Sequence, residues 1–254
     1  MKIEVVGIED IPIIKKDDNL EEIIYEAIEK NGIKIHDDDI FVVAETVVAK
    51  AEGNLVKLEN VTPTMEAYKM AEVSGKDPKQ CQVILDNTVN VIKCLPGLII
   101  TETPYGFICA NSAVDNSNCE EGYITPLPVD PDLSAQKIKK YLDEKSGKKT
   151  AVIISDTQGR PWRVGAMGVA VGISGMHPCT DFRGMVDLYG QPLQSTIEAT
   201  ADELASAASL IMGQADSGLC VVLIRGYNLT NVACNIGESM ISEILRDPEN
   251  DAFR

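Results

Sequence analysis

The fold is restricted most by a set of short, uninterrupted runs rich in β-branched apolar residues. "DDIFVVAETVVAKAEG" (38–53) contains one such strand, and "TAVIIS" (150–155), "AMGVAVGIS" (166–174) and "GLCVVLIRG" (218–226) leave no polar face for water and each read as a buried strand. The first of these is expected to rise from Ile40 and to end only near Lys50 and Gly53. "KIEVVGI" (2–8), "NVIKCL" (90–95) and "LIITETPYGFICAN" (98–111) read as further strands, the last as a hairpin turning at "TPYG". Between them lie helical patterns. In "NLEEIIYEAIEKNG", Asn19 is placed to cap, Leu20, Ile23, Ile24, Ala27 and Ile28 fall at helical spacing, and Gly32 ends the run. Residues 64–88 predict one or two helices broken at Pro78. "SAQKIKKYLDEKSG" predicts a helix with Ser134 as cap and Gly147 as stop. "STIEATADELASAASLIMG" (195–213) predicts a long helix, and "GESMISEILRD" (237–247) a terminal one. Helices and strands mix without a regular β–α–β alternation, which favours an α+β fold over a doubly wound sheet. Residues 1–254 are read as one unit with two sub-domains, and the Pro-rich "TPLPVDPD" (125–132) as a connector.

Composition narrows the functional classes. The formal net charge is −16, and Lys and Arg never run longer than two, which argues against nucleic acid or an anionic membrane as partner. The same acidity sets a condition: an anionic substrate would need local cations, from side chains or metals. No apolar run approaches the ~20 residues of a membrane span. The opening "MKIEVVGIEDIP" alternates like a strand and lacks the features of a signal peptide, so a cytoplasmic protein is expected. Seven scattered Cys without a C-x-x-C, and only two His, fit reduced thiols better than a thiol-based metal site. Neither G-x-x-x-x-G-K-[ST] nor G-x-G-x-x-G nor G-x-S-x-G occurs.

Polar residues concentrate in a few segments beside apolar runs. "CANSAVDNSN" (109–118) places Asp115, Asn116, Ser117 and Asn118 in an oxygen-dense loop, which suits a hard cation or an Asx-rich turn closed on its own backbone. "SDTQGRPWRVG" (155–165) follows "TAVII". There Asp156 and Thr157 offer oxygen ligands, Gly159 permits a turn, and Arg160 and Arg163 offer planar cations for phosphate or carboxylate. The bland alternative is a structural Asp–Arg pair with Trp162 packed as a plug. "MGQADSG" (212–218) is either a connector or a small-residue loop whose backbone N–H groups approach phosphates. Thr46 and Lys50 are placed at a strand end, where Lys50 can meet a phosphate. Arg183 is a further candidate anion contact, and His177 reads as a loop residue.

"KAEG", "NSAVDNSN", "SDTQGRPWRVGAMGVAVGISG", "DLYGQPL" and "MGQADSG" occur in an order and at spacings that resemble the coenzyme F-420-0:L-glutamate ligase family, the γ-glutamyl ligases of deazaflavin biosynthesis. The resemblance runs from "IPIIKKDDN" almost to the C-terminus. It implies a GTP-dependent ligase that joins L-glutamate to the lactyl carboxylate of the glutamate-free coenzyme, then adds a second glutamate to the monoglutamate form by a γ-linkage. It implies Mn²⁺ or Mg²⁺ at two sites, stimulation by K⁺, and a homodimer with an intertwined α+β fold. By motif, Asp115, Asp156 and Thr157 match metal ligands, and Gln214 stands where some members carry a metal-binding Glu. The GTP contacts map to Ile11, Pro12, Ile13, Ile14, Glu45, Thr46, Lys50, Asn118, Met212, Gly213, Gln214, Ala215, Asp216, Ser217, Gly218 and Leu219. Glu45 stands in place of a smaller residue. Lys50, Arg160 and Arg163 are the candidate charge-stabilising groups of the reaction, a role read from their chemistry and not from the resemblance.

Overall fold

A computed structural model describes residues 2–229 and 239–251. Its centre is a five-stranded sheet. In chain order the elements begin with β1 (Glu4–Gly7), α1 (Leu20–Lys30), β2 (Ile40–Ala44), α2 (Glu45–Ala51) and the short β3 (Val56–Lys57). Two helices follow, α3 (Met65–Ser74) and α4 (Pro78–Asp86), then β4 (Asn90–Leu95), β5 (Leu98–Glu102), β6 (Ile108–Ala110) and β7 (Tyr123–Ile124). The chain continues through α5 (Pro131–Ser146), β8 (Ala151–Gly159), β9 (Ala166–Ser174), β10 (Thr180–Asp181), β11 (Ile197–Glu198), α6 (Thr200–Met212) and β12 (Val221–Arg225).

The central sheet runs β1-β12-β2-β8-β9, with β2 and β8 parallel and the other pairs antiparallel. The apolar runs occupy its middle, as their sequence requires. Phe41, Val42 and Val43 are all fully buried, as are Val152, Ile153 and Ile154. Successive strand residues point to opposite faces, so consecutive burial means that both faces are covered. Helices α1, α5 and α6 join these strands in one apolar core. A second cluster lies under α3, α4 and the sheet β4-β5-β6, built on Ala67, Met70, Cys81, Ile84 and Ile99.

Local signals explain most boundaries. Asn19 caps α1 as expected, its side chain accepting from the Glu22 N–H. Pro78 opens α4 and separates it from α3, and Gly147 ends α5 in the left-handed region. Several expectations are corrected. β2 stops at Ala44, because Val48, Ala49 and Ala51 bury at helical spacing and residues 45–51 coil into α2; Thr46 and Lys50 therefore sit on a helix. The cap of α5 is Asp130, which accepts from the Leu133 N–H ahead of Pro131, while Ser134 is buried in the first turn. α6 begins at Thr200, and Ile197–Glu198 pairs as a strand. β8 runs through Asp156 to Gly159, so the turn falls at residues 160–165. The C-terminal segment forms a 3₁₀ turn at Ile241–Ile244 where an α-helix was expected; Gly237 and Glu238 lie outside the described residues.

α5 and β9 meet at a point with no spare room. A Cβ added to Gly172 would lie 2.5 Å from the Pro131 carbonyl carbon and oxygen. Backbone cannot yield as a flexible side chain does, so Gly172→Ala is expected to destabilise by about 3 kcal/mol. A lowered denaturation midpoint in urea at unchanged m-value would show it.

Candidate active site

The sheet register gathers one site from segments far apart in sequence. Ala44 lies opposite Ser155 in the parallel β2–β8 pair, so Glu45 and Asp156 leave the same end of the sheet. β12 enters at that end, with Val221 opposite Val43, and the loop before it descends from the C-terminus of α6. Ile8 N–H donates to the Val221 carbonyl, which brings the segment after β1 there too. The carboxyl ends of parallel strands are where open α/β sheets commonly bind ligands. A cleft of about 550 Å³ opens at this place, within the usual range for a small-molecule site.

The cleft is lined by most of the residues singled out from the sequence: Ile11, Pro12, Ile13, Ile14, Glu45, Thr46, Lys50, Asp115, Asn118, Asp156, Thr157, Met212, Gly213, Gln214, Ala215, Ser217, Gly218 and Leu219. Asp216 is exposed and does not line it. Nor do Arg160 and Arg163, which lie in the turn between β8 and β9; the Arg160 guanidinium donates to the Gly165 carbonyl at 3.2 Å. Trp162 is 87% exposed with φ of 65°, so it is not a packing plug. Arg183 is held by Asp181, whose carboxyl this ion pair pulls down to about 2, and His177 contacts Glu243 and the Cys179 backbone.

Asp156 is fixed from two sides. Its Oδ1 accepts from the Thr157 N–H at 2.6 Å and its Oδ2 from the Gln158 amide at 3.0 Å. Burial raises its pKa, these hydrogen bonds partly offset that, and the charge of Asp115 raises it further. Beside Asp156, β9 carries one extra residue: Gly172 faces Ile154 and Ala170 faces Ser155. Such bulges re-aim the chain next to functional sites. Asp115 is tied in by paired backbone hydrogen bonds with Thr125, 3.0 and 2.8 Å, and its Oδ1 accepts from the Asn116 N–H. The Gln214 amide donates to Thr157 Oγ1 at 3.2 Å, linking the α6–β12 loop to β8. Lys50 Nζ donates to the Asn118 carbonyl.

Two features were not anticipated. Asn111, Ser112 and Ala113 all lie in the left-handed region, at φ of 56°, 53° and 55°, each costing an L-residue roughly 1–2 kcal/mol. Thr101 steadies this turn, its Oγ1 accepting from the Ser112 N–H at 2.8 Å. Strain of this kind clusters at functional sites. The other feature is the state of Glu45, expected only as a GTP contact: it is 5% exposed, has one buried oxygen without a hydrogen-bond partner, and has its pKa raised well above the usual carboxylate value by burial first and by Asp156 next. A signal was available: Glu45 directly follows a buried strand, as the segment with Asp156 does. Cys109 and Cys220 are pushed up to about 12 and about 11 by burial, so neither is a ready nucleophile.

Asp115, Asp156, Thr157 and Gln214 all line the cleft and carry oxygens of the hard kind that Mg²⁺ and Mn²⁺ prefer. Among the described residues no three His, Cys, Asp or Glu side chains converge as a ready cage. The unpartnered Glu45 oxygen nevertheless fits a positive ion nearby. Among the described residues, no helix is long and apolar enough to cross a membrane.

Comparison with known proteins agrees over nearly the whole chain. The family model described as F420-0:Gamma-glutamyl ligase matches residues 8–226. The chain is 47% identical over 254 residues to the coenzyme F420:L-glutamate ligase of Methanothermobacter thermautotrophicus, covering all of both proteins. It is 45% identical to that of Methanocaldococcus jannaschii and 38% to that of Archaeoglobus fulgidus, covering all of this chain and 97% of each relative. With a match of that extent, the chain belongs to the F420-0:gamma-glutamyl ligase family.

Proposed function

We propose that this chain ligates L-glutamate to the glutamate-free coenzyme F420-0 and then adds a second glutamate through a γ-linkage, consuming one GTP at each addition. The observation that carries this reading is the cleft itself, where the strand-end carboxylates, Lys50 and the Gly-bracketed 212–219 loop meet. A carboxylate is a poor electrophile. Transfer of the γ-phosphoryl group of GTP to it gives an acyl phosphate and GDP. The free amine of glutamate attacks the acyl carbon, phosphate leaves, and the nitrogen loses a proton as the amide forms.

Every substrate is anionic, and the chain carries a net charge of −16, so the site must concentrate positive charge. Asp115 and Asp156, with Thr157 and Gln214, would hold Mn²⁺ or Mg²⁺, with K⁺ as a further candidate. Divalent cations bound there would supply Lewis-acid charge at the β- and γ-phosphate oxygens. Lys50 lines the cleft and can meet a phosphate. The 212–219 loop can present backbone N–H groups, with Gly213 and Gly218 both at φ of 69°. Arg160 and Arg163, on the turn that continues from Asp156, would hold the carboxylates of the acceptor at the mouth of the cleft. Arg160→Ala is then expected to raise KM for the acceptor about tenfold and leave kcat nearly unchanged, the loss of one charge-assisted contact. Unchanged steady-state constants for every substrate would remove Arg160 from this role.

A homodimer is the proposed assembly, and a cytoplasmic one. It would give cover to Trp162, Val164, Leu188 and Tyr189, each at least 87% exposed in the single chain. The deciding experiment is phosphate release with GTP, L-glutamate, Mn²⁺ and the glutamate-free coenzyme, with product masses. Release that requires every component, with gains of one and then two glutamates, is expected. Metal-dependent GTP binding without turnover would refute the reaction.

A further inference from the structure

Glu45 is the acidic group that the proposed reaction leaves without a use for its charge. It starts α2 directly beyond β2, lines the cleft and is 5% exposed. Its Oε1 accepts from the Thr46 hydroxyl at 2.7 Å, while Oε2 is buried and has no hydrogen-bond partner. Among the described residues no cation forms an ion pair with it. The nearest help is Lys50, whose ammonium is committed to the Asn118 carbonyl. Asp156 and Asp115 act on Glu45 in the opposite sense, as like charges. Leaving a buried acceptor unmet, and a buried carboxylate beside two others, is costly. Asn111 Oδ1 is a second buried oxygen without a partner, and Asn111 lines the same cleft. Both orphans are hard oxygen donors on residues that line one cleft.

The geometry points to Glu45 as a third acidic ligand of a divalent cation in the cleft: the three carboxylates do not converge as a ready cage among the described residues, and the ion would draw Glu45 together with Asp115 and Asp156. The inference rests on the reading that this cleft takes such an ion. A divalent cation reverses the sign of the interaction among these carboxylates, satisfies Oε2, and gives the strained 111–113 turn a reason to hold Asn111 where it is. Affinity for hard cations rises with the number of charged ligands, so Glu45 tunes how tightly the ion is held before any nucleotide arrives. The competing occupant of Oε2 is the α-ammonium of the incoming glutamate.

Mn²⁺ titration of the full chain without nucleotide, followed by calorimetry and by the electron paramagnetic resonance of free Mn²⁺, separates these. Glu45→Gln keeps the size and the Thr46 contact and removes the charge; Asp156→Asn is the control. Glu45→Gln is expected to weaken Mn²⁺ binding at least tenfold. It should melt no lower than the parent without Mn²⁺, which shows that it folds, and should gain less than the parent when Mn²⁺ is added. Parent-like Mn²⁺ affinity in Glu45→Gln, with binding lost in Asp156→Asn, would overturn the role of Glu45 and leave the cation reading standing. If that parent-like affinity came with a raised KM for L-glutamate, Oε2 would belong to the substrate ammonium, and the inference would equally fail. A parent protein that takes up no Mn²⁺, with or without GTP, would overturn both.

Discussion

Asp156→Asn is expected to lower the rate of glutamate addition by about a thousandfold or more, the equivalent of roughly 4 kcal/mol of transition-state stabilisation. The side chain sits where β8 leaves the buried part of the sheet, and its Oδ1 is already anchored by the Thr157 N–H. An Asn keeps that anchor. It also keeps a partner for Gln158, whose amide can turn to offer its oxygen. What it removes is the negative charge that would hold a divalent ion against the phosphates. Stability should move the other way. Burial, with Asp115 adding to it, raises the folded-state pKa of Asp156 above the 3.8 of the unfolded chain. Between the two values the native state binds more protons than the unfolded one, so stability falls as pH rises through that window. Above that window the penalty is fully present. Without added divalent ions, Asp156→Asn should therefore melt no lower than the parent while its turnover collapses. Phosphate release and thermal melting on the same preparation check both halves. Retained turnover would remove Asp156 from the proposed mechanism.

How far the sequence disclosed this arrangement depended on the range of each interaction. The buried strands were legible because Val, Ile and Phe in unbroken runs leave no other low-energy choice, and Pro78 and Gly147 act through their own backbones. α2 was not legible. "ETVVAKA" continues the β-branched pattern of β2, and only the burial of Val48, Ala49 and Ala51 against the rest of the core turns it into a helix. The expected cap of α5, Ser134, lies inside the first turn, because Pro131 suits the first helical position and leaves Asp130 at the cap. The alternative of a packed Trp162 rested on the usual burial of a large aromatic side chain, whereas this one stands on an exposed turn. The cleft is different again. Residues 11–14, 45–50, 115–118, 156–157 and 212–219 come from separate parts of the chain. Nothing local says that strand register brings them to one end of a sheet; the family resemblance supplied that grouping. It did not supply the unmet oxygen of Glu45, which is a property of packing and visible only in three dimensions.

Arg225→Met is expected to be the most damaging single change to stability, at about 3–5 kcal/mol. Arg225 ends β12, and Asp39 stands just before β2, at the end of the sheet away from the cleft. The guanidinium grips the carboxylate with two hydrogen bonds, Nε to Oδ1 at 2.7 Å and Nη2 to Oδ2 at 2.6 Å, and also donates to the Lys34 carbonyl. Asp39 is only 1% exposed and also accepts from the His36 N–H. Deleting the arginine leaves a buried carboxylate without its counter-charge, which is far worse than never having had the pair. For a chain of this size each kcal/mol moves the melting temperature by roughly 2–4 °C, so a fall of about 6–20 °C is expected. The double change Asp39→Asn with Arg225→Met should recover part of that loss, because it removes the stranded charge as well as the attraction. Because the clamp lies at the far end of β2 and β12, kcat of the surviving folded protein at low temperature should stay close to that of the parent. A comparable fall in kcat would mean that register set at Asp39 is transmitted along β2 to Glu45; a fall of less than about 2 °C in melting temperature would mean that the buried pair contributes no more than an exposed one.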